Sequence, residues 1–192
     1  MRLVLATRNA HKVRELAALL QGHELEPLPD DVTMPPEDGE TFADNALIKA
    51  RAAAAATGRP AIADDSGIEA EALGGAPGVR SARYAGENAT DEENLAKLLA
   101  EAPAGSPVAY VCVIAYVDPA TGREEIVSGR CTGVLADAPR GSGGFGYDPV
   151  FIPDDYDDGR TMAELSPEEK DRISHRGRAA AALRELLERL AA

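Results

Sequence analysis

The alternation of apolar and polar positions divides the chain into short strands and amphipathic helices. Arg2-Leu3-Val4-Leu5-Ala6 reads as a buried strand, and Val13, Leu16, Ala17 and Leu20 then follow the i, i+3, i+4, i+7 spacing of a helix with one apolar face. A second helix is capped by Thr41 and runs to about Thr57, with Ala46, Leu47, Ala50, Ala53 and Ala54 as its buried stripe and Gly58 as its stop. Ala61-Ile62-Ala63 reads as a strand that ends at Asp64-Asp65-Ser66-Gly67. Thr90-Asp91-Glu92-Glu93 and Ser166-Pro167-Glu168-Glu169 are capping boxes that open two more helices, the first with Leu95, Leu98 and Leu99 on its core side. Residues 108–117 and 124–134 read as a long hairpin, and weak alternation in the first arm predicts cover on both of its faces. Leu183, Leu186, Leu187 and Leu190 form the stripe of a last helix.

The points where these elements meet carry the candidate chemistry. Two adjacent carboxylates at a strand end repel each other, and a divalent cation reverses that cost; the same residues also suit an Asx-type turn. The strand-to-helix turn Thr7-Arg8-Asn9-Ala10-His11-Lys12 offers an anion the first N–H groups of a helix and the ammonium of Lys12, or else Thr7 or Asn9 simply caps that helix. Residues 27–36 form a polar, proline-marked connection that delivers the acidic run Glu37-Asp38-Gly39-Glu40. Asn45 and Lys49 lie one turn apart on one helix face, which on an ordinary helix is solvated. Gly141-Ser142-Gly143-Gly144-Phe145-Gly146 matches the dinucleotide fingerprint in form only, because Pro149 forbids the helix that must follow. Phe145 and Tyr147 flank Asp148 there, as a wall for a planar base would require. His175-Arg176 at a helix start is ordinarily solvent-facing.

Charge and composition narrow the classes. A net charge of -13 argues against a nucleic-acid surface, which is normally basic, but not against a small phosphorylated ligand. Lysine occurs only at Lys12, Lys49, Lys97 and Lys170; the first two fall in the segments just singled out, and Lys170 lies just past the capping box at Ser166. Cys112 and Cys131 sit in apolar or strand-like runs without metal-site spacing, as small core residues of a reducing compartment do. With no signal peptide and no apolar run of membrane-spanning length, the expected location is the cytoplasm. A Walker-type loop and an Asp-x-Asp-x-Thr phosphatase motif are both absent.

Taken in order, Thr7-x-Asn9-x-x-Lys12, Gly39-x-Thr41-Phe42-x-x-Asn45-Ala46-x-x-Lys49-Ala50, Ala63-Asp64-Asp65-Ser66-Gly67, Gly74-Gly75-Ala76-Pro77-Gly78, Phe145-Gly146-Tyr147-Asp148-Pro149 and Ser174-His175-Arg176-Gly177 resemble the ITPase-like family of noncanonical purine nucleoside triphosphate pyrophosphatases. The resemblance runs from the first strand to the last helix. It implies a single α/β domain over residues 1–192, with an elongated mixed central sheet flanked by helices and two lobes around an active-site cleft. It also implies a cytoplasmic homodimer that uses Mg²⁺ to hydrolyse ITP, dITP and XTP to the monophosphate and pyrophosphate. By the same resemblance, Thr7, Arg8, Asn9, Ala10, His11 and Lys12 hold the triphosphate with Lys49, while Glu37 and Asp65 bind the metal and Asp65 accepts the proton from water. Ser66, Phe145, Gly146, Tyr147, Asp148, Lys170, His175 and Arg176 then line the nucleotide site. A pyrophosphatase for another altered nucleotide, or a nucleotide-sensing module without turnover, remains an alternative.

Overall fold

A computed structural model describes residues 1–191. Six strands, β1 (Arg2–Leu5), β2 (Glu24–Pro27), β3 (Ala61–Ala70), β4 (Pro107–Asp118), β5 (Arg123–Leu135) and β6 (Phe151–Pro153), form one mixed sheet in the order β2-β1-β3-β4-β5-β6. The helices are α1 (Ala10–Leu19), α2 (Phe42–Thr57), α3 (Asp91–Glu101), α4 (Pro167–Ile173) and α5 (His175–Ala191). β1 is parallel to both β2 and β3, whereas β5 and β6 are antiparallel. No helix among the described residues is long and apolar enough to cross a membrane.

The chain falls into two compact units. The first comprises residues 1–65, 112–129 and 178–192, and its core gathers Leu3, Leu5, Leu16, Ile62, Ile114 and Leu183. The second comprises residues 66–111 and 130–177, with Ile68, Leu98, Tyr110, Leu135, Phe151 and Met162 in its core.

Local signals set the helix ends as the sequence indicates. Thr41 accepts from the Asp44 N–H at 3.1 Å while the Asp44 carboxylate takes the Thr41 N–H at 3.1 Å, which closes the capping box of α2. Gly58 ends that helix at a φ of 66°, where a side chain would be strained. Three details differ from the sequence pattern. α1 buries only Leu16 within its span, together with Leu20 just beyond, so Val13 and Ala17 lie exposed; the helix is turned so that Leu16, Leu19 and Leu20 meet the core. Leu47 on α2 is only half-buried. β3 does not stop at Asp64 but runs on to Ala70, so both aspartates are buried within a strand rather than presented on a turn.

α4 is fastened by a salt bridge that makes a pH-dependent contribution. The two terminal guanidinium nitrogens of Arg160 donate to Glu169 at 2.9 Å, and the Ser166 N–H donates to the same carboxylate at 2.9 Å. These donors, Arg160 foremost, pull the Glu169 carboxyl from its ordinary value of 4.5 down to about 2. A carboxylate depressed in the folded state stabilises above its unfolded value, and that stability is lost as pH falls from 4.5 towards about 2. Arg160→Gln should therefore raise Glu169 towards the ordinary carboxylate range in an NMR titration, and the melting-temperature gap from wild type should narrow through that window. A Glu169 titration unmoved by the substitution would refute the assignment.

Candidate active site

In the first unit the site is built on β3 and α2. Asp64 is a hub for cations: its Oδ2 meets the Lys12 ammonium at 3.0 Å, and its backbone carbonyl accepts from Lys49 Nζ at 2.7 Å. Lys49 also reaches Glu37 Oε2 at 3.0 Å. Asn45, one turn before Lys49, donates from Nδ2 to Asp65 Oδ2 at 3.0 Å and accepts the Gly39 N–H at 2.8 Å. Asn45 and Lys49 are thus buried, not solvated, because they answer the carboxylates that β3 and residues 37–40 bring to that helix face. Burial pushes the Asp65 carboxyl above the usual aspartate range and Glu37 pushes the same way, while Lys49, Lys12 and Asn45 pull it back. A carboxylate in that balance suits a proton acceptor.

The turn between β1 and α1 is occupied by its own side chains. Asn9 Oδ1 accepts the N–H groups of His11 at 2.9 Å and Lys12 at 3.3 Å, so two donors that the sequence offers to an anion are used in capping α1. Thr7 Oγ1 accepts from Asn9 N–H at 3.2 Å, and Ala10 is the first residue of the helix. Arg8 turns towards residues 29–32, donating to the carbonyls of Pro29 at 3.1 Å and Val32 at 2.9 Å, and so braces the loop that leads to Glu37. His11 is exposed against the Arg14 guanidinium at 2.8 Å. Asp44 is taken up by the Thr41 cap.

The second unit assembles a different cluster around Asp148, which is buried. Its Oδ1 accepts from the Tyr110 hydroxyl at 2.9 Å, and its Oδ2 accepts from Lys170 Nζ at 2.8 Å and from the Phe145 N–H at 3.0 Å. The fit leaves no room for a side chain at Gly144, where a Cβ would lie 2.0 Å from Asp148 Oδ2. The Phe145 ring has Lys170 Nζ at 5.2 Å and the Arg176 guanidinium at 5.8 Å from its centroid. Arg176, only 1% exposed, donates to Ser66 Oγ at 2.8 Å, and the His175 ring stacks on Tyr110 at 4.5 Å. Gly146 donates its N–H to Asp91 at 2.8 Å. Tyr147 departs from the expected lining role: it lies in the core, its hydroxyl donating to the Ser81 carbonyl at 2.6 Å. His175 and Arg176 are buried, contrary to the solvent-facing habit of such pairs, because Tyr110 and Ser66 supply partners.

The structure therefore gathers Lys12, Glu37, Lys49 and Asp65 in one network, and Ser66, Phe145, Asp148, Lys170, His175 and Arg176 in a second. Asp65 and Ser66, a member of each, are neighbours in the chain. Asn45, Asp64 and Tyr110 complete these networks; the sequence singles out Asn45 with Lys49 on one helix face and Asp64 with Asp65 as paired carboxylates, and Tyr110 only as part of a buried strand. Among the described residues no group of three or more His, Cys, Asp or Glu side chains could hold a metal ion. The donor set, two carboxylates beside two ammonium groups, fits a hard divalent cation that shares its oxygen ligands with a polyphosphate, not one caged by protein alone.

A family model described as the Ham1 family matches residues 3–186. Among curated relatives, a dITP/XTP pyrophosphatase of Symbiobacterium thermophilum is 54% identical over 100% of this chain and 95% of its own. One of Geobacter sulfurreducens is 51% identical over 97% and 96%. Among solved structures, a HAM1 protein from Coxiella burnetii superposes with a TM-score of 0.88 at 43% identity, covering 98% of this chain and 99% of that one.

Proposed function

Because the chain belongs to the Ham1 family, we propose that it is a pyrophosphatase that hydrolyses dITP and XTP, and ITP with them, to the nucleoside monophosphate and pyrophosphate. The observation that carries the reading is Asp65, a buried carboxylate raised above its ordinary range yet held by Asn45 within the field of Lys12 and Lys49. In this reading Asp65 accepts the proton of the attacking water. Lys12 and Lys49, each anchored on Asp64, neutralise the charge that gathers on the departing pyrophosphate. Glu37 and Asp65 would hold Mg²⁺, which when bound supplies further charge neutralisation at the phosphates. Arg8 contributes by bracing the loop that carries Glu37, and Thr7 and Asn9 shape the turn that presents Lys12.

The base is assigned to residues of the second unit: the face of Phe145 with Lys170 and Arg176 beside its ring, and His175, which stacks on Tyr110. Asp148 acts indirectly by holding Lys170 and Phe145. Hypoxanthine and xanthine carry a 6-oxo acceptor where adenine carries an amine. A fixed donor pairs with the first and opposes the second, and each such mismatch costs about 1–3 kcal/mol, roughly 5- to 150-fold. Location in the cytoplasm is supported by two buried free cysteines, and a homodimer is part of the same proposal.

The test is a panel of dITP, XTP, ITP, dATP, dGTP and modified pyrimidine triphosphates, read as pyrophosphate released with Mg²⁺ and with EDTA. Expected is turnover of the first three, abolished by EDTA, with dATP slower by at least about 10-fold. Equal turnover of dATP and dITP would defeat the selectivity argument. A preference for a modified pyrimidine would reassign the substrate, and a raised melting temperature without turnover would make the protein a sensor. Light scattering at the mass of one chain would remove the dimer.

A further inference from the structure

We infer that Asn45 is a positioning residue that fixes, through one side-chain amide, both the carboxylate of Asp65 and the loop that carries Glu37. Asn45 is 1% exposed on α2. Its Oδ1 accepts the Gly39 N–H at 2.8 Å and its Nδ2 donates to Asp65 Oδ2 at 3.0 Å. The first bond settles which way the amide faces: a backbone N–H can only donate, so the oxygen is turned to Gly39 and the NH₂ group is left for Asp65. Gly39 lies two residues after Glu37, so one amide ties together the two segments from which the acidic groups come.

The surrounding chain makes room for this contact. A Cβ at Gly39 would stand 2.7 Å from Asn45 Oδ1 and 2.6 Å from Asp44 Cβ, so only glycine lets the loop backbone approach the amide. α2 has no need of an amide at this position for its own stability. Thr41 and Asp44 already cap it, Ala46, Ala50, Ala53 and Ala54 supply its core face, and asparagine in a helix interior is a weak helix former. Both hydrogen bonds of Asn45 leave the helix for segments that carry the chemistry. A donor fixed on Oδ2 restrains rotation of the Asp65 carboxylate, so that the same geometry is offered to water in each turnover.

This inference rests on Asp65 being the proton acceptor, and the two can fail separately. Asn45→Asp keeps the shape and the acceptor for Gly39 but places an oxygen against Asp65; Gly39→Ala pushes the loop off an intact Asn45. Turnover of dITP with Mg²⁺ is measured per nucleotide-binding site, counted with the α,β-methylene analogue of dITP. Both variants should bind the analogue and keep KM within about threefold of wild type, while kcat falls by about 100-fold. A wild-type enzyme inert toward the whole panel overturns the parent reading and this inference with it. An active wild type with a folded Asn45→Asp variant whose kcat lies within about threefold overturns this inference alone, as does a loss that appears in KM and analogue binding instead of kcat. Should Asn45→Asp fail to fold, Gly39→Ala carries the decision on the same criteria.

Discussion

Asp65→Asn yields a folded protein whose turnover of dITP is reduced by about 10²- to 10⁴-fold, the loss expected when a positioned proton acceptor is removed. The substitution preserves shape, and the new amide oxygen can still accept from Asn45. The lysines remain answered, since Lys12 keeps the Asp64 carboxylate and Lys49 keeps Glu37 and the Asp64 carbonyl. Stability should move the opposite way from activity. Burial raises the carboxyl of Asp65 in the folded state, so its favourable contribution is present below the ordinary aspartate value and is lost as pH rises through the raised one. At pH 7 the ligand-free variant should melt no lower than wild type, with any advantage vanishing under acid conditions. Retained hydrolysis would remove Asp65 from the mechanism; a melting temperature well below wild type would show that the carboxylate is structural.

Asp148→Ala is the change with the largest expected effect on stability. It removes the carboxylate that pairs with the buried Lys170 and accepts from the Tyr110 hydroxyl and the Phe145 N–H. Breaking a buried ion pair on one side costs about 3–5 kcal/mol, which in a chain of this size lowers the melting temperature by roughly 6–20 °C. The double variant Asp148→Ala/Lys170→Met should recover part of that loss, because the buried ammonium is removed together with the carboxylate it faces. KM for dITP should rise in the single variant, since Phe145 and Lys170 are held through Asp148. Calorimetry showing an unchanged transition would mean that the pair contributes nothing net.

The parts of this molecule that follow local rules could be read from the chain. Thr41, Thr90 and Ser166 cap the helices they were expected to cap, Gly58 ends α2, and the long hairpin forms with its first arm buried. What could not be read depends on partners distant in sequence. Two aspartates are poor strand formers and suggest a turn, yet β3 continues through them because Lys12, Asn45 and Lys49 arrive from two helices to satisfy them. Arg176 looked like a solvated helix start until Ser66, 110 residues away, supplied an acceptor. β2 carries glutamates at Glu24 and Glu26, and its place beside β1 is secured by Arg2, a cross-strand pairing that no window of local sequence contains. The motifs themselves stand out in the sequence; the wiring of their side chains, above all through Asp64 and Asn45, does not.

Running β3 through both aspartates has an evolutionary corollary. Side chains alternate along a strand, so losing one codon upstream of Asp64 in β3 would slide Asp65 into the seat that anchors Lys12 and put the hydroxyl of Ser66 in the seat of the proposed proton acceptor. Gaining one would deliver Asp64 to that acceptor seat and an alanine to the anchor. Descendants of this gene can lengthen or shorten their surface connections, but in-frame indels in this decapeptide should be purged even when the protein still folds.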